Sequence, residues 1–566
     1  MPNPFVSLLI CFVLLFTPVF SAAQEFDDLN DQAYKERDNK NYKRAIEICT
    51  QSINKKVNAR AYILRADCRY ELNDYEAAMD DYNSALTYYS DYYGSDNKEK
   101  AGIYYYLGRC KQQLRRYNDA ISDFNTSLTN NYSEPGYAYW NRGACNYNLG
   151  KYKDAEDDYI KAIDRISDNE DLSALYEQRG DCQAQLGNYE TAYTLYARAI
   201  TYNANNYNPY WQRGHYKSQE GKYEEALTDF NKAIELITAE GNTANNNDLA
   251  ILYRNRALMH KSLKQYDDAL AAINKSVQTD PNMSKTYRIR GEIYQAMKKY
   301  DKAGADYENA ITLQTDKKIK SDIYLDRSMM KWNILDYKSC LDDLNKAVEA
   351  DSEDGMNHWH LSMLYGYKKN YPFAIKECNA AMDVYKSDSS STASLFWLRA
   401  SHKDNAGDYK GAVEDYQAYL KYYPNSYSGY YELGRLFKWK LKNNDLADAN
   451  LSKAVEMADK YKDTVKGCYI KIIKGEKEEA LKTMLQVMQL TSQTDDYYYK
   501  WNLHNLTCLY ALAGNIPKAF EYMDKSIKAG FDDYLHLVND RDLVSLMKLP
   551  QWKVILAKYK VPQPKL

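Results

Sequence analysis

One short phrase recurs along this chain at spacings that a single globular core does not produce. Tyr223-Glu224-Glu225-Ala226-Leu227-Thr228-Asp229-Phe230-Asn231-Lys232-Ala233 is echoed by Tyr152 to Ala162 and by Tyr75 to Ala85. Twelve residues before the alanine in the fourth place of each phrase lies another small residue. The upstream set is Ala33, Ala66, Gly108, Gly143, Gly180, Gly214, Ala257, Gly291, Ser328, Ser362, Ala400, Gly434, Cys468 and Thr507. The downstream set is Ala45, Ala78, Ala120, Ala155, Ala192, Ala226, Ala269, Ala303, Cys340, Ala374, Ala412, Ala447, Ala480 and Ala519, the Ala447 pair being one residue wider. Such a period marks a repeat array, in which each unit cannot bury its own apolar face and is stabilised by its neighbours. Glycine and proline are scarce, at 23 and 12 of 566 residues, so each unit reads as long helices and not short strands. Glycine inside a helix costs roughly 1 kcal/mol against alanine, so its return at the upstream place implies a close approach that outweighs that cost.

Further places agree with this register. Numbering the small pair 8 and 20, place 17 is Tyr42, Tyr75, Tyr117, Tyr152, Tyr189, Tyr223, Tyr266, Tyr300, Tyr337, Tyr371 and Tyr409. Place 24 includes Tyr82, Phe124, Tyr159, Tyr196, Phe230, Tyr307 and Tyr416, and Pro281 and Pro424 fall at place 32. In these residues the chain resembles the tetratricopeptide-repeat (TPR) family, from about Asp27 to Lys528. Units twelve to fourteen are looser, since Ala447 needs one extra residue and Lys477 and Ile516 replace the tyrosine. The resemblance implies an all-α TPR solenoid, a right-handed superhelix of about fourteen helix-turn-helix units over residues 27–528. Residues 529–566 read as a C-terminal capping segment, with Leu543, Leu546, Trp552 and Leu556 covering the last apolar edge.

The register absorbs other conspicuous residues. Much of the chain's tyrosine, 58 residues, falls at places 17 and 4, where with place 24 it is expected to fill the spaces between units. Cys68, Cys110, Cys145 and Cys182 share place 10 and read as small buried hydrophobes, with disulfides between neighbours the alternative. Arginine recurs at place 7 and aspartate at place 23, and six units carry both, which predicts a ladder of Arg–Asp pairs. Three polar spacers, Ser90 to Lys100, Gly241 to Asp248 and Lys386 to Thr392, are expected as surface loops or hinges.

Residues 1–23 carry no charged side chain, run apolar from Phe5 to Phe16 and end in Ser21-Ala22-Ala23. This reads as a secretory signal peptide, with an uncleaved membrane anchor as the alternative. Export and an Asn, Lys and Tyr bias place the chain in the periplasm or cell envelope of a Gram-negative bacterium. The net charge is −3, without long runs of one sign, which argues against nucleic-acid binding. There is no phosphate loop, no nucleophile elbow and no zinc-helix motif, and His358 and His360 stand two apart on one helix. No enzyme, cofactor or metal is therefore expected.

The TPR resemblance implies that first helices line a concave groove, with places 2, 5, 9, 12 and 13 facing a ligand. Carried onto this sequence, that selects Tyr105, Trp140, Tyr147, Trp211, Arg254, Arg288, Trp332, Trp359, Trp397 and Tyr431 as binding candidates. Aromatic rings beside polar groups suit extended peptides or protein loops. The expected function is a non-enzymatic scaffold or adaptor for envelope proteins or peptides, reaching the membrane only through partners or an uncleaved N-terminal segment. A glycan- or substrate-binding envelope protein using the same aromatics is the alternative.

Overall fold

The computed structural model describes residues 28–89, 97–239, 246–460, 462–491 and 496–561; the segment 1–23 and most of the first two spacers lie outside them. Among the described residues every regular element is a helix. The helices follow one another as pairs, beginning with 28–38 and Tyr42–Lys55, then Ala59–Glu71 and Tyr75–Thr87. The last pair is Asp496–Ala513 with Ile516–Lys528. The chain divides into two compact halves, Met1–Pro281 with repeats 1 to 7 and Asn282–Leu566 with repeats 8 to 14 and the cap. No helix among the described residues is long and apolar enough to cross a membrane.

The turn inside each pair has one backbone solution. Place 15 is left-handed in all fourteen repeats, from Lys40 and Asn73 through Gly150, Gly187 and Gly221 to Gly475 and Gly514. In repeat 8 the Lys298 N–H donates to the Gln295 carbonyl and the Lys299 N–H donates to the Tyr294 carbonyl. That pair of bonds is a Schellman ending, which satisfies the last carbonyls of the first helix. Place 17 is then the first residue of the second helix, which is why Tyr42, Tyr75 and their equivalents all stand at helix starts. Asp74, Asp336 and Asp408 cap those helices from place 16 by accepting a backbone N–H.

Packing within a pair explains the small residues. A Cβ on Gly108, Gly143 or Gly180 would sit 2.6–2.7 Å from the ring of Phe124, Tyr159 or Tyr196. The place-24 ring therefore lies across place 8 of its own repeat, and it also fills the space to the next repeat as expected, Tyr82 stacking on Tyr106 at 6.0 Å and Tyr196 on Tyr216 at 6.4 Å. The carbonyl of Ala155, at place 20, lies 3.2 Å from the same point at Gly143, so both small residues serve one contact. In repeat 12 the extra residue is taken up by a π-helical segment, Leu436–Lys440, following Tyr427–Arg435. A π turn is how a helix accommodates one inserted residue without losing its register.

The Arg–Asp ladder is present. Arg65–Asp81, Arg142–Asp158, Arg213–Asp229, Arg290–Asp306, Arg327–Asp343 and Arg399–Asp415 approach to 2.5–2.7 Å. A second cation at place 11 reaches the same carboxylate through Arg69, Lys217, Lys331 and Lys403. The place-7 guanidinium also lies over the place-4 ring three residues earlier, as Arg142 over Tyr139 at 5.2 Å. Place-4 tyrosines are thereby tied to the ladder. Where place 23 is not aspartate, Arg179 turns instead to Glu156 of the preceding repeat, at 3.2 Å.

The nine cysteines among the described residues are all buried as free thiols. The third spacer is only partly a loop: helix Ser389–Ala406 begins inside it, with Asp388 accepting the N–H groups of Ser390 and Ser391. At the C-terminus, Leu543, Leu546, Trp552 and Leu556 are buried in one core with Phe531 of the same segment and Met523 and Ile527 of the last repeat.

Candidate functional site

The ten sequence candidates separate into three groups. Tyr105 and Trp332 are only 6% exposed and belong to the core, contrary to their expected place in a binding groove. Tyr132 covers the ring of Tyr105 at 4.5 Å, and Tyr367 meets the edge of Trp332 at 4.9 Å. In both cases an aromatic from outside the helix pair closes the position that the register left open.

A second group is held in place by polar or ring partners. Trp140 stacks on Tyr137 and donates its indole N–H to Gln178 at 2.8 Å. Trp211 stacks on Tyr207, Tyr147 meets Tyr152, and Trp359 meets Tyr385. Arg288 pairs with Asp326 at 2.6 Å and lies within 3.8 Å of Asp322, so its charge is already spent within its own half. Arg254 is half-buried; its Nε is buried without a hydrogen-bond partner, and burial pulls its guanidinium below the usual range. Nearby in sequence order, Glu177 takes place 5 of repeat 5. Burial, reinforced by Asp181, pushes its carboxyl up to about 8.

Trp397 and Tyr431 form the third group, and they line one cavity of about 1240 Å³ within the C-terminal half. First helices of repeats 10 to 14 supply one side of it. Segment 538–547 of the cap supplies the other. The cap therefore does more than seal the last apolar edge. Arg541 reaches back to Glu432 of repeat 12 and lies 3.9 Å from Asp404 of repeat 11. Arg435 bonds the same two carboxylates, with its Nε 2.8 Å from Glu432. Two cations and two anions thus alternate, each with a partner; Glu432 and Arg541 line the cavity, while Arg435 and Asp404 are buried behind them.

Beside Arg541, the lining is aromatic and histidine-rich. Trp501 meets the edge of Phe531 at 4.9 Å, and His504 stacks on Phe531 at 4.6 Å. Nε2 of His504 and of His536 lie 3.1 and 3.4 Å from Oδ2 of Asp540. Asp542, buried beside the charge of Asp540, is pushed up to about 6. The wall also includes Trp397, Tyr427, Tyr431 and Tyr469, with the Lys466 ammonium 4.5 Å above the Tyr427 ring. His402 forms part of the floor, bonded to Ser362 at 3.1 Å, and burial pulls it down to about 4. It is a neutral ring at ordinary pH. A surface of this kind, apolar faces with paired charges at fixed points, orients a ligand that is itself partly apolar and partly polar.

Sequence reasoning selected Trp397 and Tyr431 but missed Arg435, Glu432, Arg541 and the histidines. The visible signal was Asp540-Arg541-Asp542, three charges inside an otherwise apolar cap. A second signal was the pair of four-residue spacings, His504 with Cys508 and His536 with Asp540, each of which puts two donors on one helical face.

Family models described as tetratricopeptide repeat match residues 206–281, 99–171, 398–456, 59–92, 173–206 and 285–317. Among curated proteins, heat shock protein STI1 of Saccharomyces cerevisiae is 34% identical over 91 residues, 16% of this chain and 15% of that protein. Solved structures give a likeness to the C-terminal part of a TPR repeat-containing protein from Cytophaga hutchinsonii, 18% identical, with TM-score 0.33 over 51% of this chain and 97% of that one. A tetratricopeptide repeat protein from Parabacteroides merdae is likewise 18% identical, with TM-score 0.37 over 47% and 96%.

Proposed function

We propose that this tetratricopeptide-repeat protein is a non-enzymatic scaffold or adaptor of the bacterial cell envelope, and that its C-terminal cavity receives an extended segment of a partner protein. Repeats of this family generally mediate protein–protein interaction and are generally non-enzymatic. The observation that carries the reading to this chain is the cavity wall of Trp397, Tyr427, Tyr431 and Tyr469 together with the fixed charges of Glu432, Asp540, Arg541 and Asp542. Rigid rings supply contact area at low entropic cost, and the charges set register and direction. Glu432 and Arg541, which line the cavity, match a backbone or side chain that offers both donors and acceptors, and the buried Arg435 and Asp404 hold that pair in place.

The envelope setting rests on residues 1–23 and their small-residue ending before Gln24. Mass spectrometry of the protein from its native cell tests it. A mature N-terminus at Gln24 in the envelope fraction supports export, and a full-length chain in the cytosol contradicts it.

Binding is tested with the full chain and its Trp397→Ala/Tyr431→Ala variant, both immobilised and exposed to envelope extract. The expected result is one or a few proteins retained in fixed ratio by the parent chain and lost by the variant. Equal retention by both would remove the cavity from the account. Retention of oligosaccharide with no protein would transfer the same wall to the glycan-binding alternative.

A further inference from the structure

The histidine-rich part of the cavity has a second reading that does not depend on a partner. His504 and Cys508 lie one turn apart on the first helix of repeat 14. His536, on helix Tyr534–Asn539, stands four residues before Asp540, which immediately follows that helix. The structure brings His504, His536 and Asp540 to one point, with Cys508 beside two of them. From Oδ2 of Asp540 the distances are 3.1 Å to His504 Nε2, 3.4 Å to His536 Nε2 and 3.3 Å to Cys508 Sγ. Cys508 Sγ is 3.5 Å from His504 Nε2. The three nitrogen and oxygen atoms all lie within 4.8 Å of one another.

Four of the six separations that a four-ligand tetrahedron needs have the lengths of its edges. Zinc bound to nitrogen and oxygen at about 2.0–2.1 Å in a tetrahedron places those ligands about 3.3–3.4 Å apart, and a sulfur at about 2.3 Å lengthens its edges to about 3.5–3.6 Å. These four separations fall within about 0.3 Å of those edges. We propose that His504, Cys508, His536 and Asp540 form a structural zinc site that staples the C-terminal cap to repeat 14.

The rest of the local geometry supports that role. Oδ1 of Asp540 accepts the backbone N–H of Asp542 at 2.9 Å, which fixes the carboxylate and leaves Oδ2 directed at the other three groups. Asp533 caps the short helix by accepting the His536 N–H at 2.9 Å, which sets where His536 projects. On binding, Cys508 releases its thiol proton and each imidazole keeps its proton on Nδ1. Two anionic ligands then balance the dication, so the buried end of the site carries no net charge. A mixed nitrogen, sulfur and oxygen set suits zinc and not calcium or magnesium, which take oxygen ligands.

The test uses the full chain, stripped with chelator, dialysed and titrated with Zn²⁺ alone, and separately with Co²⁺. The expected result is one zinc per chain, a raised thermal midpoint, and a cobalt spectrum with both tetrahedral d–d bands and a thiolate charge-transfer band. His536→Ala removes a side chain that is 47% exposed, so the fold is retained and circular dichroism checks this. It is expected to weaken zinc binding by at least about tenfold. Cys508→Ser is expected to abolish the charge-transfer band. No zinc uptake, or uptake unaffected by His536→Ala, overturns the site and leaves a hydrogen-bonded cluster. A charge-transfer band that survives Cys508→Ser overturns the assignment of the fourth ligand.

Discussion

Asp343→Ala isolates one rung of the ladder in repeat 9. The aspartate is 1% exposed and takes a bidentate contact from Arg327, with Nη2–Oδ1 at 2.7 Å and Nε–Oδ2 at 2.9 Å. Lys331 adds a third contact at 2.6 Å. Removing the carboxylate strands two cations that the fold has already stripped of water. Breaking a buried pair from one side costs about 3–5 kcal/mol. Arg327 keeps one contact, to the exposed Glu308, so the lower end of that range, about 3 kcal/mol, is expected. For a unit of this size that is a fall of about 6–12 °C in Tm, if the half unfolds cooperatively. Replacing both partners, as Asp343→Leu/Arg327→Met, should restore part of the loss, because the desolvation of the pair nearly offsets its attraction while Lys331 still lacks its carboxylate. The assay is thermal and urea denaturation of the full chain, with hydrogen exchange to locate the loss in repeats 8 to 10. Glu521→Ala, which breaks contacts to the exposed Lys518 and Lys525, is the control and should leave the transition unmoved. If Asp343→Ala and Glu521→Ala are indistinguishable, the ladder is ornament on the packing and the argument fails.

Other perturbations follow from single residues. Lys298 is exposed and holds φ at 58° in its turn. Lys298→Gly should therefore stabilise by roughly 0.5–1 kcal/mol in urea melts, whereas Lys298→Val should destabilise. Glu177 remains protonated in the folded chain up to about 8 but ionises near 4.5 when unfolded. Its folded value is raised, so its contribution is intact below 4.5 and is lost as pH rises toward 8. Glu177→Gln should flatten the decline in stability across that window, and an unchanged slope would show that the carboxyl is not desolvated.

Much of the fold was legible because each repeat poses the same problem and solves it with the same residues. Small residues at 8 and 20, tyrosine at 17 and Asp at 23 each report one local contact, so fourteen copies make the pattern visible. Position 24 makes two contacts: ring volume pointed to the space between repeats, which it fills, while only the missing Cβ at Gly143 or Gly180 reveals that the ring also lies across its own repeat. Tyr105 and Trp332 were misplaced for a related reason. Their repeat places were carried over as ligand-facing, but Tyr132, at place 32 of the same repeat, and Tyr367, at place 13 of the next, cover them, so the openness of one place depends on the residue at another. The cavity was legible only on its repeat side. Trp397 and Tyr431 follow from position 5, while Arg541 arrives from 109 residues beyond Glu432. A periodic reading carries no information about a contact of that range.

The most direct measurement is retention of envelope proteins by the full chain against Trp397→Ala/Tyr431→Ala, read by quantitative mass spectrometry after cross-linking. The account predicts at least one protein held in fixed ratio by the parent chain, cross-linked to residues that line the C-terminal cavity, and reduced about tenfold or more in the variant. Undiminished retention by the variant, or cross-links confined to other surfaces, would contradict it.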